Sequence, residues 1–498
     1  MKSDLEKVTK HLRISKKITD NTNYEIETID AIELLTPNRI DLVAKIKFLD
    51  NIYKNLNCSF ISEMYEAHLK AFNGNSKCSE AGDDNKNNLN DYISSFMETA
   101  NSIKEDGFNS NASLIPIGKN NVLLDGAHRT ASAIYFNKKV EVIKFQSINE
   151  NYNYKFFQNN LLDEKFLDYM VLEYCKLKKN TFVFCIWPSA DKSRRNEAYN
   201  LIRQKTSIIY EKEVDLNYNG YRNFMIQIYK DFTNWIGNYK NHYKGVYSQL
   251  DPCYKSGIPL KIFVVEAKSK EYIIELKTQI RNIFNIGNFS IHSTDNQMET
   301  IKMLEILLNH NSIYLLNYGQ PDKYKELNKK IEIINQAIQN NNLNKDNFII
   351  ASDIVLALFG LKESNDIGYL SLNSDYYDYF KNIDMDNHFD NIEYCDTTLN
   401  EIILNPNNYL IYQGIKFITL DLLEKMKKNR NSRKDSIDIE LIQKFRKNNN
   451  SKIKTLISKL KSLIIRLKKQ IKLLLINLLK KLHLYNFIYK ICKGNKDK

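Results

Sequence analysis

The segment that most restricts the fold is the run NVLLDGAHRTASAIYF, in which a short apolar strand leads directly into a helix. The strand is expected at Val122–Leu124 and the helix from Thr130 onward. Gly126 permits the tight backbone turn between them, because glycine adopts conformations that other residues avoid. Free N–H groups at the start of a helix attract anions, and His128 and Arg129 add cationic donors. The pattern therefore predicts a phosphate-binding turn.

The residues around this turn resemble the ParB/sulfiredoxin superfamily. The turn is preceded by LIPIG and followed by the strand VEVIKF, and members of the superfamily share a Gly-x-(His/Arg)-Arg type of turn at the start of a helix. In that superfamily the turn contacts the phosphates of CTP or ATP, and some members are free-serine kinases. Ala127 stands where sulfiredoxins carry their nucleophilic cysteine, which argues against sulfinic-acid reduction. No helix-turn-helix motif follows, so chromosome partition is not the expected function.

The resemblance assigns roles to the residues of the turn. Asp125 would orient a hydroxyl or act as a base, and Arg129 would neutralise a transferring phosphoryl group. The implied catalytic residues are Asp125, His128 and Arg129, and the implied nucleotide-binding residues are Gly126, Ala127 and Thr130. A simpler interpretation stays open, in which Asp125 caps the helix while His128 and Arg129 form surface ion pairs.

A second constellation lies in NFIIASDIVLALFGLKESNDIGYLSL, where a small polar turn precedes a helix, a glycine and a short strand bearing Asp366. This order resembles the nucleotidyltransferase-like fold of the polymerase β type. In that fold, a small-residue turn holds a triphosphate and an Asp-x-Asp pair on the strand binds two magnesium ions. The resemblance implies that Ser352 and Asp353 bind nucleotide, and that Asp366 is a catalytic residue that binds magnesium.

The resemblance is incomplete at the second carboxylate, because Gly368 occupies that position. The region is therefore either a non-catalytic copy or recruits Asp375 or Asp386. Further along, the sequence is similar to an Arg-x-Lys-Asp-x-x-Asp run of small nucleotidyltransferases, in which Lys434, Asp435 and Asp438 match and Ser432 stands in place of the arginine. The similarity implies that Lys434 binds phosphate and that Asp435 caps the next helix. The alternative is that these charges coat an amphipathic helix.

The middle of the chain contains SIHSTDNQMETIKMLEILLN, in which His292 lies on a turn and Asp295 and Glu299 begin a helix. We expect these side chains to converge near Trp235, because a His/Asp/Glu cluster suits acid–base chemistry or metal binding. The alternative is that Thr294 or Asp295 is an ordinary N-cap and that the histidine is only hydrogen-bonded. Candidate phosphate partners just before this segment are Lys268, Lys277 and Arg281.

The net charge of +13 comes from one tail. Between Leu441 and Lys496 there are 16 Lys and Arg and no Asp or Glu, and removing these charges leaves −3 for the remainder. Apolar residues recur every three or four positions in this tail, which predicts an amphipathic helix. Such a helix binds an anionic membrane surface. The alternatives are nucleic-acid binding and self-association as a coiled coil. A coiled coil would need acidic residues to pair with the cations, and this segment has none.

Cysteine usage and hydropathy favour a cytoplasmic protein. The seven cysteines are dispersed without a Cys-x-x-Cys pair, which argues against a disulfide framework and a zinc ribbon. The first residues, MKSDLEKVTKHLR, lack the apolar core of a secretory signal, and no apolar run reaches the roughly 18 residues that span a bilayer. The expected location is the cytoplasm, at the inner face of the membrane.

These features predict a multidomain chain of the α/β (α+β) class. The expected order is a helical region at 1–90, a ParB/sulfiredoxin-like domain at 91–160, a mixed α/β domain at 175–325, a nucleotidyltransferase-like domain at 326–445 and a basic amphipathic tail at 446–498.

The expected function is phosphoryl or nucleotidyl transfer from ATP or CTP, with Mg²⁺, to a small-molecule or sugar-phosphate acceptor. The arrangement is similar to uncharacterised proteins encoded among capsule and lipopolysaccharide genes, which implies bacterial cell-surface polysaccharide assembly. Two alternatives stay open. One is a non-catalytic, nucleotide-sensing scaffold or regulator tethered to the membrane, which Gly368 favours. The other is a ParB-like nucleic-acid-binding protein, which the acidic remainder of the chain disfavours.

Overall fold

A computed structural model describes residues 4–8, 18, 22–73, 88–231, 233–364 and 366–449. From residue 450 onward, the expected membrane-binding tail lies outside the described residues. Within them the chain forms three β-sheets surrounded by helices, which confirms the mixed α/β class. No helix in this part of the chain has the length and hydrophobicity needed to cross a membrane.

The first sheet joins N-terminal residues to the segment around Gly126. The elements of this part are β1 Glu25–Asp30, α1 Asp41–Tyr53, α2 Ser59–Phe72, α3 Leu89–Asp106, β2 Ile115–Ile117, α4 Ala127–Tyr135 and β3 Lys139–Lys144. The strand order is β1-β3-β2, with β1 antiparallel and β2 parallel to β3. The expected boundary at residue 90 therefore falls between strands of one sheet.

The turn at Gly126 differs from the expectation on both sides. In place of a strand at Val122–Leu124, the structure has a single β-bridge between Ile117 and Leu123. The helix α4 begins three residues before Thr130. Gly126 itself has a φ of +81°, in the left-handed region that favours glycine, so the expected tight turn is confirmed.

The second sheet belongs to the middle of the chain. The elements of this part are α5 Tyr154–Asn159, α6 Glu164–Leu177, β4 Thr181–Ile186, α7 Arg195–Lys205, β5 Ser207–Val214, α8 Tyr218–Tyr229, α9 Thr233–Ile236, α10 Tyr247–Cys253, β6 Leu260–Glu266, α11 Lys270–Phe284, β7 Ile291–Ser293 and α12 Gln297–Leu307. The strand order is β5-β6-β4-β7, with all neighbours antiparallel. Two units, β4-α7-β5 and β6-α11-β7, interleave as a split β-α-β arrangement.

The two faces of this sheet pack against different helices. The side chains of Phe184 and Ile186 pack against α7 and α11, whereas Cys185 and Trp187 belong to a core that includes α6, α8 and α12. The expected turn at His292 is wrong, because Ile291–Ser293 forms the edge strand β7. A strand of three residues is too short for its hydrophobic pattern to be recognised.

The third sheet belongs to the C-terminal region. The elements are α13 His310–Tyr318, α14 Lys325–Asn340, β8 Phe348–Ile350, α15 Ile354–Leu358, β9 Ile367–Ser371, α16 Tyr376–Lys381, β10 Met385–Asn387, α17 Leu399–Leu404, β11 Tyr409–Tyr412, β12 Ile415–Ile418, α18 Leu420–Arg430 and α19 Arg433–Asn448. The strand order is β10-β9-β8-β12-β11. The strands β11 and β12 form a hairpin whose two turn residues both have positive φ.

Two large apolar cores follow from these sheets. One extends from Ala31 to Leu316 and includes both the first sheet and one face of the second. The other extends from Leu315 to Ile442 and surrounds the third sheet. A buried ion pair joins the two parts, in which Arg222 on α8 donates to both carboxylate oxygens of Asp322 at 2.6 and 3.1 Å.

Candidate functional site

A cavity of about 480 Å³, here called the central cavity, lies at the edge of the second sheet. Its wall consists of the end of α8 and the segment after it, the middle of α11, the strand β7 and one side of α12. Among the described residues, β7 is the last strand of its sheet. The N–H of Thr294 donates to the carbonyl of Val183. Successive residues of an antiparallel strand point their N–H groups to opposite sides, so the N–H of the preceding residue, Ser293, points away from β4.

His292 occupies the middle of β7 and lines the central cavity. Its Nδ1 lies 3.1 Å from the hydroxyl of Tyr229 on α8, and the two groups share a hydrogen bond. Burial, followed by the charge of Lys277, lowers the pKa of His292 to about 3. Burial also raises the pKa of Tyr229. Both groups are therefore uncharged at neutral pH, and the imidazole serves as a hydrogen-bonding group.

Two cations lie one turn apart on α11 beside this histidine. Lys277 lines the cavity and Arg281 follows it, and among the described residues neither forms a salt bridge. The carboxylate of Asp295, which acts on Lys277, is bound by Lys270 at 3.3 Å. The Nε of Arg281 and the hydroxyl of Ser293 are buried without a hydrogen-bond partner. Like charges at this spacing repel and unpartnered buried donors cost free energy, so an anion would stabilise this arrangement.

The structure brings Asp295 and Glu299 to the same cavity as His292, as the sequence led us to expect. Glu299 accepts the N–H of Asp295 and a side-chain N–H of Asn296, each at 2.9 Å. Its carboxylate is therefore engaged at the start of α12, whereas the side chain of Asp295 is 41% exposed. The N-cap of α12 is Asn296, so the alternative that Thr294 or Asp295 caps this helix is wrong.

A helix begins at the expected phosphate-binding turn, but Asp125 does not cap it. The Oδ1 of Asp125 accepts the N–H of Gly126 at 2.7 Å. The N-cap of α4 is Gly126 and has no side-chain cap, so Asp125 is not the cap. Ala127 is the first helical residue, and Thr130 is buried while its N–H donates to the carbonyl of Gly126. These residues are neighbours, but their side chains do not share one cavity with His292.

The side chains of His128 and Arg129 contact groups inside the protein. The Nε2 of His128 lies 3.0 Å from the hydroxyl of Tyr65, and its ring lies among aromatic rings of α2 and α3. Arg129 donates to the hydroxyl of Ser113 at 2.5 Å, and its guanidinium lies against Gly126. Both contacts fix α4 against its surroundings.

A buried ion cluster that the sequence did not reveal lies next to this turn. Arg39 donates to both carboxylate oxygens of Asp41, at 2.8 and 2.9 Å, and to the carbonyl of Leu123 at 2.7 Å. Lys45 donates to the same carboxylate at 2.9 Å and lies 3.0 Å from the Nε2 of His68. The cluster therefore fixes the segment that leads into the turn.

The expected nucleotide-binding residues of the C-terminal region have separate environments. The hydroxyl of Ser352 donates to the backbone carbonyl of Asp366 at 3.1 Å. Asp353 instead binds the Nζ of Lys427 at 2.5 Å. Asp366 is exposed just before β9, and Lys434 is exposed in the first turn of α19. The structure therefore brings Ser352 and Asp366 together, whereas Asp353 belongs to an ion cluster.

This ion cluster, here called the Lys427 cluster, joins α15, α18 and α19. The ammonium group of Lys427 lies 2.5, 3.3 and 2.8 Å from carboxylate oxygens of Asp353, Asp435 and Asp438. Lys362 adds a contact of 2.8 Å to Asp438. The N-cap of α19 is Ser432, so Asp435 is not the cap that was expected; it occupies the third helical position and accepts the N–H of Ser432 in a capping box.

The position of the missing second carboxylate is occupied by a ring. A Cβ on Gly368 would lie 2.0 Å from atoms of the His388 imidazole, whose Nδ1 lies 3.0 Å from the carbonyl of Ala351. The residues beside Asp366 therefore do not form a pair of metal-binding carboxylates. In the ranges that the structure describes, no group of three or more His, Cys, Asp or Glu side chains is arranged to bind a metal ion.

Comparison of the chain with models of known protein families, with curated proteins and with solved structures found no match. The central cavity is therefore identified as the candidate site by its own geometry.

Proposed function

We propose that this protein binds the phosphate group of a small metabolite in the central cavity and catalyses phosphoryl or nucleotidyl transfer. The observation that supports this proposal most is the pair Lys277 and Arg281, neither of which forms a salt bridge within the described chain, together with the unpartnered hydroxyl of Ser293, which lines the cavity with Lys277. A phosphate group offers several acceptor oxygens and a negative charge, which match these donors. The cavity volume is within the range of small-molecule sites.

The same side chains have suitable roles in transfer. The acceptor oxygen forms a bond to phosphorus, the bond to the leaving oxygen breaks, and the acceptor hydroxyl releases its proton. Lys277 and Arg281 would neutralise the phosphoryl oxygens, and Ser293 would hydrogen-bond them. Asp295 would take the proton of the acceptor. The neutral imidazole of His292 would orient a phosphoryl oxygen or the acceptor without adding charge.

The rest of the expected function belongs to this proposal and rests on sequence resemblance. ATP or CTP is the expected donor, and a sugar phosphate or another small molecule is the expected acceptor. The ParB/sulfiredoxin-like and nucleotidyltransferase-like assignments stay predictions, as do polysaccharide assembly and a place at the inner membrane face. Mg²⁺ accompanies the triphosphate in this proposal.

Binding of pyrophosphate, ATP and CTP to the whole chain tests the proposal by calorimetry. We expect Lys277→Met and Arg281→Met each to weaken binding by about tenfold or more, because each removes a charge-assisted hydrogen bond worth roughly 1.5–3 kcal/mol. The matched control is Lys205→Met, which removes an exposed cation from the neighbouring helix α7. Equal affinities in all four proteins, or no binding in any, would contradict the proposal.

A second candidate function is a non-catalytic scaffold or regulator that senses nucleotides. It is favoured by Gly368, since the ring of His388 occupies the place of the second carboxylate. Radiolabelled ATP and CTP, incubated with amino acids and sugar phosphates as acceptors, separate the two candidates. A labelled acceptor supports the enzyme, whereas binding that depends on Lys277 without turnover supports the scaffold.

A further inference from the structure

The mouth of the central cavity has an exposed aromatic side chain on a fixed backbone. Trp235 on α9 lines the cavity and is 40% exposed. The next residue, Ile236, is fully buried. A Cβ on Gly245 would lie 1.7 Å from the carbonyl oxygen of Trp235, so only glycine allows the two segments to pack this closely. The indole is therefore held at the mouth by the packing of its own backbone.

A row of rings connects this indole to the polar side of the cavity. The ring centroids of Trp235 and Tyr229 are 5.3 Å apart, and so are those of Tyr229 and His292. The exposed side chain of Met298, together with Met303 and Ile306, adds apolar wall. Lys277 on α11 and Ser293 on β7 also line the cavity, so it combines an apolar, aromatic part with a part that offers hydrogen-bond donors to an anion.

We propose that Trp235 stacks on the planar base of a nucleotide whose phosphates are bound near Lys277, so that the cavity selects nucleotides over sugar phosphates. This inference rests on the proposed function, because it assumes that a phosphate group binds at α11. A base presents flat faces that an indole and a thioether cover well. A sugar presents hydroxyl groups on most sides, which would lose hydrogen bonds against Met298, Met303 and Ile306.

The two tryptophans of the chain make this inference directly measurable. Trp187 is fully buried and Trp235 is exposed at the cavity mouth, so quenching of the exposed fluorophore by acrylamide reports on Trp235. We expect ATP and CTP to protect it and glucose 1-phosphate and pyrophosphate to leave it accessible. In calorimetry, Trp235→Ala should weaken ATP and CTP binding by about 5-fold to 150-fold, since base stacking contributes roughly 1–3 kcal/mol.

Further variants separate stacking from folding. Trp235→Phe keeps an aromatic face and should retain most of the nucleotide affinity, and Trp187 fluorescence in this variant reports on the fold. Tyr377→Ala removes an exposed aromatic ring on α16 and should leave every affinity unchanged. Pyrophosphate affinity should be the same in Trp235→Ala as in the natural chain.

Failure of this inference is distinguishable from failure of the proposed function. If glucose 1-phosphate binds as tightly as ATP and Trp235→Ala changes neither affinity, the cavity binds phosphate but does not select nucleotides, and this inference is overturned. If adenosine binds through Trp235 while pyrophosphate and ATP show no dependence on Lys277, the phosphate proposal fails. If none of the four phosphate compounds binds, both proposals fail.

Discussion

His292 gives the central cavity a pH dependence with a defined sign. Its pKa is lowered to about 3 in the folded chain, mainly by burial and by Lys277, whereas an unfolded histidine has a pKa of about 6.5. Between these values the unfolded chain binds a proton that the folded chain does not. The free energy of unfolding should therefore fall as the pH falls from about 6.5 toward 3, by at most about 1.4 kcal/mol per pH unit from this residue.

The measurement is urea denaturation of the natural chain and of His292→Asn at about pH 7 and about pH 5. Other groups titrate in both proteins, so the difference between them isolates this histidine. We expect the natural chain to lose more stability than the variant on acidification. An equal loss in both would show that His292 has an ordinary pKa and lies in a wetter environment than the structure indicates.

Gly368 shows why a carboxylate cannot simply be introduced beside Asp366. Gly368→Asp should destabilise the protein by about 1–3 kcal/mol, because the new Cβ meets the His388 ring at 2.0 Å. It should also fail to create magnesium binding. Removing the ring in Gly368→Asp with His388→Ala should recover part of the loss, as expected for residues in contact. A Gly368→Asp protein as stable as the natural one would contradict this.

For individual residues, the sequence predicted contacts only between those that are close together along the chain. His292, Asp295 and Glu299 lie within eight positions, and the helix expected to begin there predicts that their side chains are close together. Tyr229 is 63 residues away from the histidine it contacts, and nothing in its neighbours indicates that α8 ends beside β7. The environment of Ser293 is equally hidden in the sequence, because an edge strand of three residues cannot be distinguished from a turn by its pattern.

The Lys427 cluster stabilises the contact between helices α18, α19 and α15. Lys427→Met should lower the free energy of unfolding by about 3–5 kcal/mol, because it removes the central cation from Asp353, Asp435 and Asp438. Burial opposes the charge on Lys427, but hydrogen bonds from its ammonium to Asp353 and Asp438 raise its pKa. Chemical denaturation, monitored by circular dichroism, measures the effect.

The matched control is Lys425→Met on the same helix. Lys425 contacts Asp396 at 3.4 Å, and both side chains are substantially exposed, so the loss should be about 0–1 kcal/mol. Similar effects of the two substitutions would mean that water screens the Lys427 cluster. The comparison keeps charge change and helix the same, so burial is the variable that differs.

The elements that the sequence predicted are those with a long or repeated pattern. The strand VEVIKF and the helix that follows His292 agree with β3 and the start of α12 within a residue or two, because their apolar residues alternate or recur at helical spacing. The strand β1 was missed, since Glu25–Asp30 is mostly exposed and polar and is a strand only because it pairs with β3. Pairing with a distant segment leaves no trace in such a short sequence.

The whole molecule is organised by shared cores more than by the order of segments. The first two sheets contribute to one apolar core, and the third sheet has its own. The expected start of the C-terminal region near residue 326 lies about ten residues after the point where one core gives way to the other, at Leu315 and Leu316. No equivalent change occurs near residue 90, because β1 and β3 belong to one sheet.

The charge distribution of the whole chain leads to a prediction about where it binds. Sixteen Lys and Arg lie between Leu441 and Lys496 without Asp or Glu, and each cation near an anionic surface contributes roughly 1 kcal/mol. We expect the whole chain to sediment with phosphatidylglycerol vesicles and not with phosphatidylcholine vesicles. A chain that ends at residue 449 should remain in the supernatant with both, while its ATP affinity at the central cavity stays unchanged.

Duplex DNA is the competing ligand for these charges, and it distinguishes a membrane-binding tail from a nucleic-acid-binding one. DNA binding falls steeply with salt because it releases counterions, whereas vesicle binding also includes burial of the apolar residues between the cations and should decline less. We therefore expect vesicles to retain the chain at a salt concentration that dissociates DNA. If the tail binds DNA but not phosphatidylglycerol vesicles, its basic residues bind nucleic acid and the proposed location at the membrane is wrong.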